Sequence, residues 1–238
     1  MLEINKVHLG DSYKLIKEID DNSVDCIYTD IPYKYCNGGQ GHSEMGVRTA
    51  KKKEELKDIS SGIDYAILDD FVRVMKKINC FIWCSKLQIL DIMNYFEKLG
   101  CNSEILMWGK TNPTPQTNNT WLPDIEYCLY FREKGVKLND GYEIKSKYYI
   151  SNANKSDKNK FDHPTIKPLE LVERHLKHAT QPNDLVLDTF IGSGTTGIAC
   201  ENTNRNYIGI EIEPKWYNVA TDRLNGIQAN GQASFILN

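Results

Sequence analysis

DLVLDTFIGSGTTGIAC, residues 184–200, decides how this chain folds. Its apolar run reaches an acid at Asp188, a turn with Gly192 and Gly194 follows, and small residues from Thr195 open a helix. In an open parallel sheet, the carboxyl end of such a strand and the first amides of such a helix converge on a ligand. A second strand, NYIGIEIEP (206–214), then ends in Glu211 and Glu213, and an acid in that position commonly receives ribose hydroxyls. A nucleoside-containing ligand is expected.

The turn lacks a following Lys-Ser or Lys-Thr, so it is not a phosphate loop for nucleoside triphosphates. Gly192, Gly194 and Gly197 match the dinucleotide spacing literally, which makes a nicotinamide or flavin enzyme a formal competitor. Asp188, two residues before Phe190, suits a ligand carrying an amine better than one carrying a pyrophosphate. The expected ligand is an amino acid joined to a nucleoside.

Strand-like runs recur near 5–8, 24–29, 79–84, 103–108, 126–131 and 206–210, with helix-like segments at 64–77, 86–99, 168–178, 195–202 and 214–224. This alternation predicts a single doubly wound α/β domain with a mostly parallel sheet, covered on both faces. Two stretches, 34–62 and 132–162, fit neither pattern and read as excursions from the core. At 238 residues the chain is long enough to bury a full core.

The formal net charge is -3, so no global positive field points to a nucleic acid, and such a partner has to be met by local patches. The start MLEINKVHLGD has no secretory pattern and no stretch approaches the ~20 apolar residues of a membrane span, so a cytoplasmic protein with no membrane role is expected. Seven cysteines, mostly among apolar neighbours, suit reduced thiols, and Cys80 and Cys84 lack a second pair with which to bind zinc. No metal is expected.

TDIPY, residues 29–33, closes the second strand with a carboxylate, a proline and an aromatic ring. Read alone it is an ordinary way to end a strand in a turn. Together with DTFIGSGTT and HPTIKP (163–168), it resembles the motifs of the permuted, beta-class amino-methyltransferases of DNA, which use S-adenosylmethionine. The order is that of the permuted class, because the tetrapeptide precedes the glycine turn. ILMWGKTNPTPQ from 105, IEYCLYF from 125 and the opening HLGDSYKLIKEIDDNSVDCIYTD are also similar to that family. The likeness covers most of the chain except 34–62 and 132–162.

The resemblance implies roles. Asp30, Ile31, Pro32 and Tyr33 form the catalytic tetrapeptide, with Asp30 and the carbonyl beside it accepting the hydrogens of a base amine and Tyr33 stacking on a base turned out of the duplex. Asp188, Phe190, Gly192 and Gly194 border the methionine portion of S-adenosylmethionine, Thr195 and Lys167 meet its carboxylate, Glu211 holds its ribose and Asp11 receives its adenine amine. Thr165 joins this set, or else caps the helix that follows. The family usually has proline where Ile31 stands, which leaves this loop less fixed in φ. Asp at the first position goes mainly with adenine N6 and Ser mainly with cytosine N4, so an adenine-specific, site-specific DNA methyltransferase is expected, in a restriction-modification setting.

Other readings stay open: cytosine N4, an amine in RNA or protein, or a cofactor-binding DNA module without catalysis. DNA recognition falls to the excursions. Residues 132–160 carry eight basic and four acidic side chains, a local excess of four positive charges, with Lys145, Lys147, Lys155 and Lys158 as expected phosphate contacts. Arg48, Lys51, Lys52 and Lys53 form a second cluster near the catalytic turn. Such small segments suggest a short target, relaxed specificity or a homodimer sharing the work.

Overall fold

A computed structural model of the chain describes residues 2–34, 62–115, 119, 121–153 and 166–226. Among these, eight strands form one sheet: β1 (Lys6–Leu9), β2 (Cys26–Asp30), β3 (Asn79–Cys84), β4 (Asn102–Lys110), β5 (Ile125–Arg132), β6 (Tyr148–Ser151), β7 (Leu185–Asp188) and β8 (Asn206–Glu211). Their order is β1-β8-β7-β2-β3-β5-β4-β6. β5 runs antiparallel to β3 and β4, and the other neighbouring pairs are parallel. The expected mostly parallel sheet is present.

Period-two alternation sends each strand's side chains to both faces, and the apolar residues of the central strands fill both. On one face Ile27, Cys80, Ile82, Leu187 and Ile208 pack against α2 (Ile67–Val74) and α3 (Ile89–Lys98). On the other, Tyr28, Phe81, Trp83 and Val186 pack against α4 (Leu169–Ala179) and α5 (Thr195–Asn202). The sheet is therefore doubly wound. Short α1 (Ser12–Leu15) follows β1, and α6 (Pro214–Leu224) follows β8.

Helix α5 follows from its small residues. Thr195, Thr196, Gly197, Ala199 and Cys200 are all buried, because the helix is enclosed by the sheet, α4 and α6. A Cβ on Gly197 would lie 2.9 Å from Leu224 on α6, so the third glycine of the GxGxxG spacing serves close packing. Edge strand β6 lies within the stretch from 132 that sequence periodicity had left without structure. It pairs with β4, so that excursion contributes to the sheet.

The two central crossovers diverge. From β7 the chain passes through α5 to β8 on one side, and β2 leads through α2 to β3 on the other. β2 and β7 are neighbours, so a crevice opens between their carboxyl ends. Gly194 shapes its floor: its φ is +81°, and a Cβ there would sit 3.3 Å from the Ala220 Cα and Cβ. Gly194→Ala is expected to lower stability by about 1–3 kcal/mol. Urea denaturation checks this, and a G194A protein as stable as the parent contradicts the packing described.

Candidate active site

Asp30 ends β2 and Asp188 ends β7, one on each side of the crevice. On the β7 side two acids brace the glycine turn. The Phe190 N–H donates to Asp188 Oδ1 at 3.1 Å, and the Thr196 hydroxyl donates to Oδ2 at 2.6 Å. Glu211 Oε2 accepts the Gly192 N–H at 2.9 Å, and Oε1 accepts the Glu213 N–H at 2.9 Å. Thr29 also bears on Asp188 and the Ile212 N–H on Glu211, which leaves each carboxylate with a single lone pair for a ligand. Burial pushes Glu211 above its ordinary range and Asp188 up to about 7.

The β1–α1 junction closes on the same edge. The Gly10 N–H donates to the Glu211 carbonyl at 2.8 Å, and the Ser12 hydroxyl donates to the Thr189 carbonyl. Asp11 caps α1 by accepting the Tyr13 N–H at 3.0 Å and stands 3.8 Å from the Lys14 ammonium. Asp11, Asp188, Gly192, Gly194 and Glu211 thus share one rim, and Phe190 follows on the turn. Thr195 Oγ1 accepts from Arg223 Nη1 at 2.8 Å.

The β2 side is built on charge. The Lys167 ammonium donates to Asp30 Oδ2 and lies 3.0 Å from Glu126 Oε2. It is also 3.3 Å from the Tyr33 hydroxyl and 5.0 Å from the centre of the Trp83 ring. Lys167, expected beside Thr195 on one ligand carboxylate, is therefore bonded to a different set of groups from Thr195. Lys110 approaches Glu126 Oε1 at 2.5 Å. Burial opposes ionisation of Glu126, but Lys167 and Lys110 together hold it down at about 2.

Asp30 Oδ1 is the unusual atom. It is shielded from solvent and has no hydrogen-bond partner among the described residues, while Lys167 and the Tyr33 hydroxyl bear on the same carboxyl. Burial pushes the Asp30 carboxyl upward, against the pull of Lys167. Buried acceptors are normally satisfied, so this oxygen, at the carboxyl end of β2, has an open requirement for a donor. Behind it, Trp83 Nε1 donates to the Tyr28 hydroxyl at 3.0 Å, and that oxygen is 3.2 Å from His175 Nδ1. Burial lowers His175 to about 3, so its ring is neutral.

Glu126, Lys110 and Gln88 were not singled out in the sequence. Glu126 begins an antiparallel strand, where neither spacing nor a motif marks it, and Gln88 lies beyond β3 in a stretch that reads as an ordinary helix start. Lys145 and Lys147 are exposed, and each is paired with an acid: Lys145 with Asp140 at 2.6 Å, and Lys147 with Glu104 at 2.5 Å. Arg48, Lys51, Lys52, Lys53, Lys155, Lys158 and Thr165 lie outside the described residues.

Asp188 generates a prediction of definite sign. Its folded pKa of about 7 lies above the ordinary 3.8, so the unfolded chain gives up this proton first. The resulting penalty is absent below pH 4, grows between pH 4 and 7 and is complete above. Asp188→Asn removes it, and D188N is expected to gain about 2–4 kcal/mol over the parent at pH 8, at roughly 1.4 kcal/mol per pH unit. The gain should vanish near pH 4. Thermal melts at pH 4, 6 and 8 check this, and a D188N protein that gains nothing at pH 8 rules out the buried, shifted acid.

The N6_N4_Mtase family model, described as DNA methylase, matches residues 24–222. The type II methyltransferase M2.LlaDCHI of Lactococcus lactis subsp. cremoris is 32% identical over 239 residues, covering 91% of this chain and 87% of that protein. The crystal structure of the M1.HpyAVI–SAM complex superposes with a TM-score of 0.69 at 29% identity, covering 92% of this chain and 98% of that one. The cytosine-N4-specific PvuII DNA methyltransferase shares the fold alone, with a TM-score of 0.67 at 16% identity, covering 91% of this chain and 85% of that one. The family match spans the crevice from Asp30 on β2 to Glu211 on β8, and the chain belongs to the DNA methylase family.

Proposed function

We propose that this chain methylates the exocyclic N6 amine of adenine in DNA, with the target base turned out of the duplex into the crevice beside Asp30. The coarser activity, S-adenosylmethionine-dependent methylation of an amine in DNA, is that of the family to which the chain belongs. The observation that carries the proposal is the buried Asp30 Oδ1, which has no partner among the described residues.

An exocyclic base amine is a poor nucleophile because its lone pair is delocalised into the ring. Two acceptors, Asp30 Oδ1 and the carbonyl of Ile31, take its two hydrogens, draw the nitrogen toward a tetrahedral geometry and direct its lone pair along a fixed line. Tyr33 is placed by Lys167 and Glu126, so its ring is set to stack on the extruded base. Lys167 draws Asp30 toward ionisation against its burial, which favours the accepting carboxylate.

The donor set on the β7 side suits S-adenosylmethionine. Asp188 and Glu211 are buried acids with lone pairs to spare, matched to an ammonium group and a ribose diol. Bound there, S-adenosylmethionine supplies an electrophilic methyl on a sulfonium. Asp11 at the far end of the rim is the acceptor for the adenine amine of the cofactor, with Phe190 bordering the methionine portion. Thr195 and Lys167 retain their proposed roles toward the carboxylate only if Arg223 and Asp30 share them. Lys145 and Lys147 contact phosphates only by exchanging their acidic partners.

Adenine is favoured because the first position of the tetrapeptide is Asp, in the family's tendency, and the same two acceptors also suit cytosine N4. Nucleoside mass spectrometry of DNA methylated by the purified protein decides between them. N6-methyladenine is expected, and N4-methylcytosine alone overturns the base assignment. Asp30→Ala is expected to reduce transfer at saturating cofactor by at least a thousandfold while cofactor affinity stays within a few fold. Glu211→Ala removes the ribose acceptor and a strut of the glycine turn, and calorimetry should show affinity about ten- to a hundredfold weaker. Unchanged binding moves the ribose contact elsewhere.

A further inference from the structure

We infer that Gln88 is the positioning residue that holds the Asp30–Tyr33 turn in register and leaves the Ile31 carbonyl available to the target amine. This rests on the amine-methylation reading above and deepens it. Gln88 precedes α3 and is fully buried, and both polar atoms of its amide are hydrogen-bonded. Nε2 donates to the Pro32 carbonyl at 3.0 Å. Oε1 accepts from the Lys34 N–H at 3.2 Å, from the Ser85 N–H at 3.1 Å and from the Ser85 hydroxyl at 2.9 Å. One side chain thus ties the turn after β2 to the turn after β3.

The strand register shows what this does. β2 and β3 are parallel, with Asp30 opposite Trp83, and the Ile31 N–H donates to the Trp83 carbonyl at 3.2 Å. In a parallel ladder each residue that donates to one neighbour accepts from the neighbour two residues further on, so the next rung would bring the Ser85 N–H onto the Ile31 carbonyl. Gln88 Oε1 takes that N–H instead, and the ladder stops one rung early. Among the described residues no hydrogen bond reaches the Ile31 carbonyl. Two acceptors therefore lie on consecutive residues, Asp30 Oδ1 and the Ile31 carbonyl.

The same bonds offset the departure from the family tetrapeptide. Proline in place of Ile31 would fix φ, but would also remove the N–H that reaches Trp83. Ile31 keeps that N–H and buries its side chain, 1% exposed, in the core. The rigidity at the next two residues comes from Gln88, through the Pro32 carbonyl and the Lys34 N–H.

Single-turnover and steady-state methyl transfer to duplex DNA by the full chain tests this with two variants. Gln88→Met keeps the length of the side chain and removes every bond. Its kcat is expected to fall ten- to a hundredfold, with the dissociation constant for S-adenosylmethionine within threefold of the parent. Gln88→Glu keeps the acceptor but sets a carboxylate against the Pro32 carbonyl, and protonation restores the donor. The ratio of Q88E to parent kcat should therefore rise at least fivefold from pH 8.5 to pH 6. Asp30, Lys34, Cys84, Lys86 and Asp91, the ionisable groups around this position, are common to both proteins, so the ratio isolates the substituted side chain. A Q88M kcat within twofold of the parent, or a Q88E ratio that is flat with pH, overturns the inference while parental turnover leaves amine methylation standing. Absence of transfer by the parent overturns both. Where Q88M does not fold, the Q88E ratio alone decides.

Discussion

The Lys167 ammonium, 8% exposed at its side chain, lies between the carboxylates of Asp30 and Glu126, and the geometry of the crevice depends on that placement. With Lys110 on the far side of Glu126 the group contains two cations and two carboxylates, and closes to neutrality. A buried pair of opposite charges contributes little net stability over an apolar replacement, but removal of one partner leaves an uncompensated charge and costs roughly 3–5 kcal/mol. The arrangement is therefore a device for specificity of position. It pulls Asp30 toward ionisation in surroundings that push its carboxyl upward, and it occupies one of the two Asp30 oxygens, Oδ2.

That charge group is assembled from distant parts of the chain. Asp30 and Lys167 are 137 residues apart, and each arrives at the edge for a topological reason. β2 ends there because its crossover through α2 leaves on one face, and β7 ends there because its crossover through α5 leaves on the other. The crevice is what remains between the two. Its two walls are braced differently. Backbone amides of the glycine turn lean on Asp188 and Glu211, whereas the turn after β2 is held by side chains, Lys167 through charge and Gln88 through an amide. A wall made of backbone donors suits a cofactor common to many enzymes, and one made of side chains suits the group that must be activated.

The parts of this design written in local sequence were legible there. DLVLDTFIGSGTTG announces strand, acid, turn and helix within fourteen residues, and TDIPY announces the strand end, because both depend on φ constraints and apolar runs that neighbours decide. The central strands lie within a residue or two of the apolar runs. What was not legible depends on pairing across the sheet. Nothing within IEYCLYF marks Glu126 as the partner of Lys110 and Lys167. The direction of β5 is set by its partners, and β6 is a short edge strand in a stretch rich in Lys, Asn, Ser and Tyr. Asp11 does what its position suggests, capping α1, and only the Gly10 bond to the Glu211 carbonyl brings it to the rim. Lys145 and Lys147 show the limit of counting charges, since each is held by an acid, Asp140 within the same stretch and Glu104 on β4.

The central claim is that two acceptors on consecutive residues, Asp30 Oδ1 and the Ile31 carbonyl, receive the two hydrogens of the target amine. A structure of the chain with duplex DNA and a non-reactive S-adenosylmethionine analogue tests it most directly. The account places the exocyclic nitrogen of an extruded base within about 3.2 Å of both oxygens, with Lys167 still on Asp30 Oδ2. An amine bonded to neither oxygen, or a base held elsewhere on the rim while Asp30 Oδ1 stays without a partner, contradicts it.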